Sequence, residues 1–277
     1  MSENLVRDIH DAVAGSDIPA EASVRPPGTT SRELAAMHRD VMRKLRPEHS
    51  SVVEIGCGVA LLGEPVARRA ARYMGLDFAP QAVAAANRRF RDAGLAEKAV
   101  AVNVDVLALG ATELRDLGRF ERVLMYAVLH YARSEDEAVR FLRVVDALLA
   151  SGGRALIGSL PLEDLQTDWP APGDPEASRL ARLAKSARWI ATRGTAPVPL
   201  SRVWKARHLA QSAVRDRSRE PRFASPQLPA NYTLPLTTAA IERWLAGFGD
   251  DLRHRWLLPA PGVPLAAGRA DLILVRR

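Results

Sequence analysis

The stretch SVVEIGCGVALLG, residues 51–63, contains the pattern that decides the fold. Its first residues are mostly apolar and β-branched, which predicts a buried strand over 51–55. Gly56, Cys57 and Gly58 follow as a turn, and a helical pattern comes next. A strand that runs through a Gly-x-Gly turn into a helix is typical of a nucleotide-type cofactor site, because glycine lets the backbone approach the ligand closely.

Strand and helix patterns alternate on both sides of this stretch. Apolar runs predict further strands at 72–78, 99–105, 122–129, 153–160, 252–259 and 269–277. Helical spacing predicts helices at 31–46, 59–72, 80–94, 111–117, 134–150 and 237–249. Regular alternation of this kind indicates an α/β fold with parallel βαβ units. The linker at 259–268 is too short for a crossover helix, which predicts that the last two strands are antiparallel.

The formal net charge of the 277 residues is +7, and the excess lies mainly in the middle of the chain. Residues 151–230 carry 13 Lys+Arg and 7 Asp+Glu, a surplus of +6. Such a block could face an acidic substrate or nucleic acid, or it could be the solvated surface of an arginine-rich protein. Only four of the 39 basic residues are lysines, which favours the solvated surface.

Composition narrows the class of protein further. A hydrophobic fraction of 47% predicts a sizeable core. We see no uninterrupted apolar run of roughly 18 residues and no signal-peptide core near the N-terminus, so we predict a cytoplasmic protein with no membrane partner. Cys57 is the only cysteine, which excludes an internal disulfide and a multi-cysteine zinc site. We predict no metal site, and we favour packing over a reactive thiol for Cys57.

Two cofactors fit a glycine turn, a dinucleotide and S-adenosylmethionine. Gly56 and Gly58 match the first two positions of the dinucleotide pattern G-x-G-x-x-G, but the third position is Leu61. Glu54, two residues before the turn, would repel phosphates and would suit an ammonium or sulfonium group. Asp77 follows Gly56 by 21 residues at the end of the second strand, where a carboxylate can accept hydrogen bonds from ribose hydroxyls.

A series of motifs points to one family. EIGCG (54–58), GLD (75–77), Asp105 at a strand end, LMYAVLHYA (124–132) and LLASGGRALIGSLP (148–161) occur in this order. The series resembles the class I S-adenosylmethionine-dependent methyltransferases over about residues 50–160 and 235–277. The resemblance implies a Rossmann-like seven-stranded sheet, mostly parallel with an antiparallel C-terminal strand pair, and a helical insertion after the fifth strand. It implies S-adenosyl-L-methionine as cofactor and S-adenosyl-L-homocysteine as product.

The resemblance also implies a domain organisation. The segment after the fifth strand is rich in proline, charge and tryptophan, and two helices are predicted in it, near 175–193 and 200–217. An insertion at this point could cover the acceptor pocket as a lid. We therefore predict three parts: an N-terminal arm and helix over 1–48, a methyltransferase core over 49–160 and 231–277, and a helical cap for the acceptor over 161–230.

Roles at the methionine end of the cofactor follow from the resemblance. Gly56 and Gly58, with Cys57 between them, let the backbone approach the methionine part. Glu54 helps to hold its amino group. Each assignment has a structural alternative, since Glu54 could also serve only to fix the turn.

Roles at the nucleoside end follow in the same way. Asp77 takes the ribose hydroxyls and Phe78 packs on the adenine. Asp105 contacts the adenine amino group, and Val106 donates a hydrogen bond from its backbone. The alternatives are a turn-capping role for Asp105 and a purely core role for Phe78.

The fourth strand end supplies the candidates for methyl transfer. The resemblance places Tyr126 and Ala127 beside the sulfonium, where Tyr126 could add cation–π attraction. His130 and Tyr131 are the candidate catalytic residues, because a hydroxyl acceptor needs a group that removes its proton. A structural role stays open for both, because many family members carry a similar leucine-histidine pair here.

The combined prediction is a methyltransferase acting on a small molecule. We expect the acceptor to be a hydroxyl, or secondly an amine, of a sugar or secondary metabolite, as in natural product biosynthesis. Two alternatives stay open: an RNA methyltransferase or RNA-binding protein that uses the basic segment 161–230, and a non-catalytic scaffold that binds the cofactor. We regard nucleic acid as the less favoured partner, because the basic segment contains few lysines and no RNA-binding motif. A homodimer is left open.

Overall fold

The computed structural model describes residues 31–166, 234–260, 263 and 269–277. The N-terminal arm and most of the predicted cap, including its two predicted helices, lie outside these residues. The described residues therefore include most of the predicted core and the helix that precedes it.

A seven-stranded sheet forms the centre of the described part, with strand order β3-β2-β1-β4-β5-β7-β6. The strands are β1 (Ser51–Ile55), β2 (Arg72–Asp77), β3 (Ala99–Asn103), β4 (Phe120–Tyr126), β5 (Leu149–Pro161), β6 (Leu252–Leu257) and β7 (Arg269–Arg276). The first five strands pair in parallel, whereas β7 runs antiparallel to both β5 and β6. The predicted fold class is confirmed, including the antiparallel C-terminal pair.

Helices connect the strands. They are α1 (Ser31–Leu45), α2 (Gly63–Arg69), α3 (Pro80–Asp92), α4 (Ala111–Asp116), α5 (Glu135–Leu148), α6 (Glu163–Gln166) and α7 (Thr238–Leu245). A short 3₁₀ turn, Leu129–Tyr131, follows β4. Among the described residues, none of the helices has the length and apolar character needed to cross a membrane.

Two predicted boundaries were wrong at the glycine turn and at the end of β4. The helix predicted over 59–72 begins only at Gly63, because Ala60 has a φ of +58° and continues the turn. The strand predicted over 122–129 ends at Tyr126, because Ala127 also has a φ of +58°. Both sites are exceptions to the steric preference of non-glycine residues for negative φ. Sequence periodicity does not detect such residues.

Apolar side chains fill both faces of the sheet. Helix α5 and helix α7 cover one face, with Leu142 and Ile241 in that core. Helices α1, α2 and α3 contribute to the other, which includes Val41, Val66 and Phe90. Burial on both faces is expected for parallel strands, whose sequences are therefore almost continuously apolar. The carboxyl ends of β1 to β5 meet at one edge, where an open α/β sheet binds its ligand.

Candidate active site

The glycine turn follows β1 and is hydrogen-bonded to the end of β2. The backbone N–H groups of Gly56 and Cys57 both donate to the carbonyl oxygen of Leu76, at 2.7 and 3.2 Å. Gly56 has a φ of +69°, and a Cβ atom there would lie 2.5 Å from a methyl carbon of Val128. Glycine is therefore required at this position for two reasons, the left-handed backbone and the close packing of the loop after β4.

Asp77 joins the end of β2 to the same turn. One oxygen of its carboxylate, Oδ2, accepts a hydrogen bond from the Gly58 N–H at 2.7 Å. The other, Oδ1, accepts one from the Ala79 N–H at 2.9 Å. The side chain is almost fully buried. Two backbone donors thus fix the orientation of this carboxylate at the end of β2.

Phe78, Asp105 and Val106 lie near the ends of β2 and β3. Phe78 is half-buried and packs against a small apolar cluster that includes Ala79 and Ala82. Asp105 is exposed, and its Oδ1 accepts a hydrogen bond from the Leu107 N–H at 3.0 Å. The side chain of Val106 is buried. The structure thus brings these three residues to the strand ends beside Asp77, although the hydrogen bond to Leu107 also fits the turn-capping alternative for Asp105.

Glu54 is buried between β1 and β2. Its Oε2 accepts a hydrogen bond from the hydroxyl of Tyr73 at 2.5 Å. Burial raises the pKa of Glu54 to about 8; the hydrogen bond from Tyr73 acts against this rise, and the nearby charge of Asp77 adds to it. In this structure the carboxyl group therefore has a protein partner, and a ligand ammonium group would have to compete with Tyr73 or share the carboxyl group.

Cys57 packs on β2. A Cβ atom at Gly75 would lie 2.6 Å from the Cys57 sulfur, so the thiol occupies the space that the glycine leaves free. Burial, with the nearby charges of Asp77 and Glu54, raises the pKa of this thiol well above its usual value. A buried thiol with a raised pKa is a poor nucleophile, which supports the packing interpretation.

Tyr126 and Ala127 lie at the end of β4, against β5. The Ala127 N–H donates to the Gly158 carbonyl at 2.9 Å. A Cβ atom at Gly158 would overlap the Tyr126 ring, so this glycine allows the ring to lie against the strand. Burial, followed by the charges of Asp271 and Asp40, raises the pKa of Tyr126. Tyr126 is therefore a neutral phenol at physiological pH.

His130 and Tyr131 follow in the 3₁₀ turn, with ring centroids 4.3 Å apart. Burial lowers the pKa of His130 to about 3, with a contribution from the positive charge of Arg269. Its Nδ1 atom is buried and makes no hydrogen bond within the part of the chain that the structure describes. Burial also raises the pKa of Tyr131. The imidazole is thus neutral at pH 7, and its pKa is low for a general base.

Sequence reasoning missed a buried ionic cluster beside this site. Lys44 on α1 donates to Asp40 on the same helix, at 2.5 Å, and to Asp271 on β7. Asp40 also accepts from the exposed Arg43 at 2.5 Å. Asp40 and Lys44 are buried together with the apolar residues of this helix, such as Val41 and Leu45. Oppositely charged residues at i,i+4, such as Asp40 and Lys44, are more often exposed on a helix surface. The one signal in the sequence was Asp271, an acid within the otherwise apolar run ADLILV at 270–275.

Ser159 and Arg269 adjoin the ionic cluster, and we call these two residues together with Asp40, Lys44 and Asp271 the polar layer. Ser159, with a φ of +59°, lies in a register shift between β5 and β7. Its N–H donates to Asp271 at 2.7 Å. The Nη1 atom of Arg269 donates to the Ser159 carbonyl at 2.7 Å and to its hydroxyl at 2.9 Å. The predicted site and this layer therefore lie on neighbouring strands.

Comparisons with known proteins agree with this fold. A family model described as a methyltransferase domain matches residues 53–155. A ubiquinone biosynthesis O-methyltransferase of Methylobacterium sp. (strain 4-46) is 32% identical over 174 residues, which cover 56% of this chain and 67% of that protein. A protein of the same name from Azorhizobium caulinodans is 33% identical over 120 residues, 43% of this chain and 44% of the relative. The chain thus spans about half the length of several curated relatives that it matches.

A solved structure has the same architecture. The N-methyltransferase NodS from Bradyrhizobium japonicum WM9, in complex with S-adenosyl-L-homocysteine, superposes with a TM-score of 0.53 at 14% identity. The match covers 98% of this chain and 97% of that one. At this identity the likeness bears on the fold alone. The sequence relatives and the family model, together with this fold, show that the chain belongs to the family of class I S-adenosylmethionine-dependent methyltransferases.

Proposed function

We propose that the protein transfers a methyl group from S-adenosylmethionine to a small molecule, with a hydroxyl of a sugar or secondary metabolite as the acceptor. The observation that carries the proposal is the Asp77 carboxylate, buried at the end of β2 and fixed by the Gly58 N–H at 2.7 Å. The names of the sequence relatives, which are O-methyltransferases, support an oxygen acceptor. An amine is the second acceptor class.

The residues at this edge form two groups, one for the methionine end of the cofactor and one for its nucleoside end. Gly56 and Gly58 would bring the backbone close to the methionine part, and Asp77 would accept hydrogen bonds from the ribose. Phe78, Asp105 and Val106 would hold the adenine. When bound, S-adenosylmethionine supplies a methyl group that its positive sulfur already activates.

The protein then has to position the acceptor and exclude water from the site. An acceptor oxygen must approach in line behind the methyl group, and such positioning supplies much of the rate enhancement. Tyr126 and Ala127 would lie beside the sulfonium, and the phenol of Tyr126 would stay neutral. His130 or Tyr131 would hydrogen-bond to the acceptor hydroxyl, and His130 would take the proton of that hydroxyl.

The proposal is tested with methyl-labelled S-adenosylmethionine. The protein is incubated with the labelled cofactor and a lysate of its native source, and small molecules, RNA and protein are separated. We expect label in the small-molecule fraction, retained at moderate salt. Label in RNA that disappears steeply with salt would instead favour the nucleic-acid alternative. Cofactor binding with no label in any fraction would favour the scaffold alternative.

A further inference from the structure

Arg269 is a largely buried cation at the carboxyl edge of the sheet. It is the first residue of β7 and pairs with Pro161 at the end of β5. Because β7 runs antiparallel to β5, its amino end lies at the same edge as the carboxyl ends of the parallel strands. Arg269 therefore lies at the ligand-binding edge, separated from the end of β4 only by β5.

Only one nitrogen of the Arg269 guanidinium group is used within the described residues. Nη1 donates to both the carbonyl and the hydroxyl of Ser159. Neither Nε nor Nη2 donates to any acceptor in the part of the chain that the structure describes. These two nitrogens form one edge of the planar guanidinium group, and such an edge can bind a carboxylate or phosphate through two parallel hydrogen bonds.

The nearby carboxylates already have other partners. Asp271, whose charge acts on Arg269, accepts from Lys44 and from the Ser159 N–H. Asp40 is matched by Lys44 and Arg43. Asp40 and Asp271 are thus neutralised by Lys44 and Arg43. Within the described residues, no carboxylate forms an ion pair with Arg269. A buried charge without an ion-pair partner is costly, and a bound anion would offset this cost.

Arg269 also lies near the predicted transfer site. Its positive charge acts on the ionisation of Tyr126, Tyr131 and His130. Burial is the main cause of a lowered pKa of Arg269 itself, yet an arginine stays protonated in proteins. The guanidinium is therefore a fixed positive charge beside the residues assigned to the acceptor.

We propose that Arg269 binds an oxyanion of the acceptor, so that the enzyme selects a small molecule that carries a carboxylate or phosphate in addition to the group it methylates. This inference rests on the proposed function, since it names the substrate class of the same site. Ser159 acts as a positioning residue, because its carbonyl and hydroxyl hold Nη1 and leave the other edge of the guanidinium group for the acceptor.

The test measures anion binding to the full chain saturated with S-adenosylhomocysteine. Benzoate is the carboxylate probe and inorganic phosphate is the phosphate probe, each titrated at low salt by calorimetry. We expect the wild type to bind at least one probe and Arg269→Gln to bind it about tenfold more weakly or worse. Preference for benzoate or for phosphate identifies which group the acceptor carries.

Arg253→Gln is the matched control. Arg253 is an exposed arginine on the neighbouring strand β6, so its loss changes the net charge equally without changing the site. We expect its probe affinity to stay within about twofold of the wild type, as for a surface charge. An equal loss in both variants, unchanged affinity in Arg269→Gln, or no binding by the wild type would each overturn the proposal.

A second variant and a second measurement keep the test decisive. Arg269→Lys retains the charge but cannot form the two-point contact, so it should bind benzoate several-fold more weakly than the wild type does. If Arg269→Gln fails to fold, this variant decides, and wild-type affinity in it would contradict the proposal. Affinity for S-adenosylhomocysteine, measured on the same samples, tests the proposed function separately: its absence in the wild type argues against the cofactor assignment and not against Arg269.

Discussion

The Asp77 carboxylate accepts a hydrogen bond from the Gly58 N–H at 2.7 Å, which connects the second acidic motif directly to the glycine turn. The two residues are 19 positions apart in the chain. Neighbouring parallel strands bring them together, because β1 and β2 end at the same edge. One side chain at the carboxyl edge of the sheet therefore fixes the glycine turn.

Asp77→Ala should weaken cofactor binding markedly. Loss of charge-assisted hydrogen bonds costs about 1.5–3 kcal/mol, which corresponds to roughly 10- to 150-fold in affinity for S-adenosylhomocysteine. Calorimetry measures this directly, and Asp116→Ala, an exposed acid on α4, serves as the control. Equal affinity in Asp77→Ala and wild type would remove Asp77 from the cofactor site.

Gly56→Ala should damage both stability and cofactor binding. The left-handed backbone costs about 1–2 kcal/mol for alanine, and the new methyl group would also displace Val128. Gly94→Ala is the matched control, because Gly94 has a similar φ of +67° but nothing within 4 Å of the added Cβ. We expect both variants to lose stability in chemical denaturation, and only Gly56→Ala to lose affinity. Loss of affinity in the control as well would show that stability alone limits binding.

Glu54 should make the protein less stable as the pH rises. Its pKa is about 8 in the folded protein against the ordinary value of 4.5, so between these values the folded state keeps a proton that the unfolded state has released. Unfolding then releases a proton, and the free energy of unfolding falls as the pH rises from about 4.5 to 8.

Glu54→Gln tests this dependence, because glutamine does not titrate. We expect a shallower decline in the free energy of unfolding from pH 5 to 8 than in the wild type, measured by denaturant titration at several pH values. Identical slopes in the two proteins would mean that Glu54 has an ordinary pKa.

Lys44→Met should be strongly destabilising. The substitution leaves Asp40 and Asp271 buried without their shared cation, and breaking a buried ion pair in this way costs about 3–5 kcal/mol. The control is Arg68→Met, which removes an exposed ion pair with Glu64 and should cost no more than about 1 kcal/mol. Guanidinium titration of both variants compares the two losses, and similar small values would contradict the role given to the cluster.

His130→Ala should lower kcat by about 100-fold if the imidazole takes the acceptor proton, with the affinity for S-adenosylhomocysteine unchanged. Because the pKa of His130 is about 3, its titration should leave no inflection in the rate between pH 5 and 9. Steady-state kinetics with the identified acceptor measure both effects. A loss of stability with kcat retained would make His130 a structural residue.

Much of the fold was predictable because it depends on local patterns. The apolar runs at 51–55 and 72–77 identify strands whatever surrounds them, and the short linker before 269 is compatible only with an antiparallel return. Most boundaries lay within a few residues of those observed. The errors at Ala60 and Ala127 arose where surrounding structure holds a non-glycine residue at positive φ.

The candidate cofactor residues were named from motif order, whereas the polar layer was missed. Asp40, Lys44, Ser159, Arg269 and Asp271 come from three distant parts of the chain. As single letters they resemble ordinary polar surface residues, since their burial depends on the packing of α1 against the sheet and on the position of β7. No local pattern encodes a contact between residues 44 and 271.

The sequence by itself determined the class of fold and the strand ends at which a ligand can bind, because hydrophobic periodicity and turn chemistry are properties of neighbouring residues. The tertiary structure alone decided which side chains meet at that edge and in what state of charge. Burial raises the pKa of Glu54 to about 8 and lowers that of His130 to about 3, and burial exists only once distant segments have packed together.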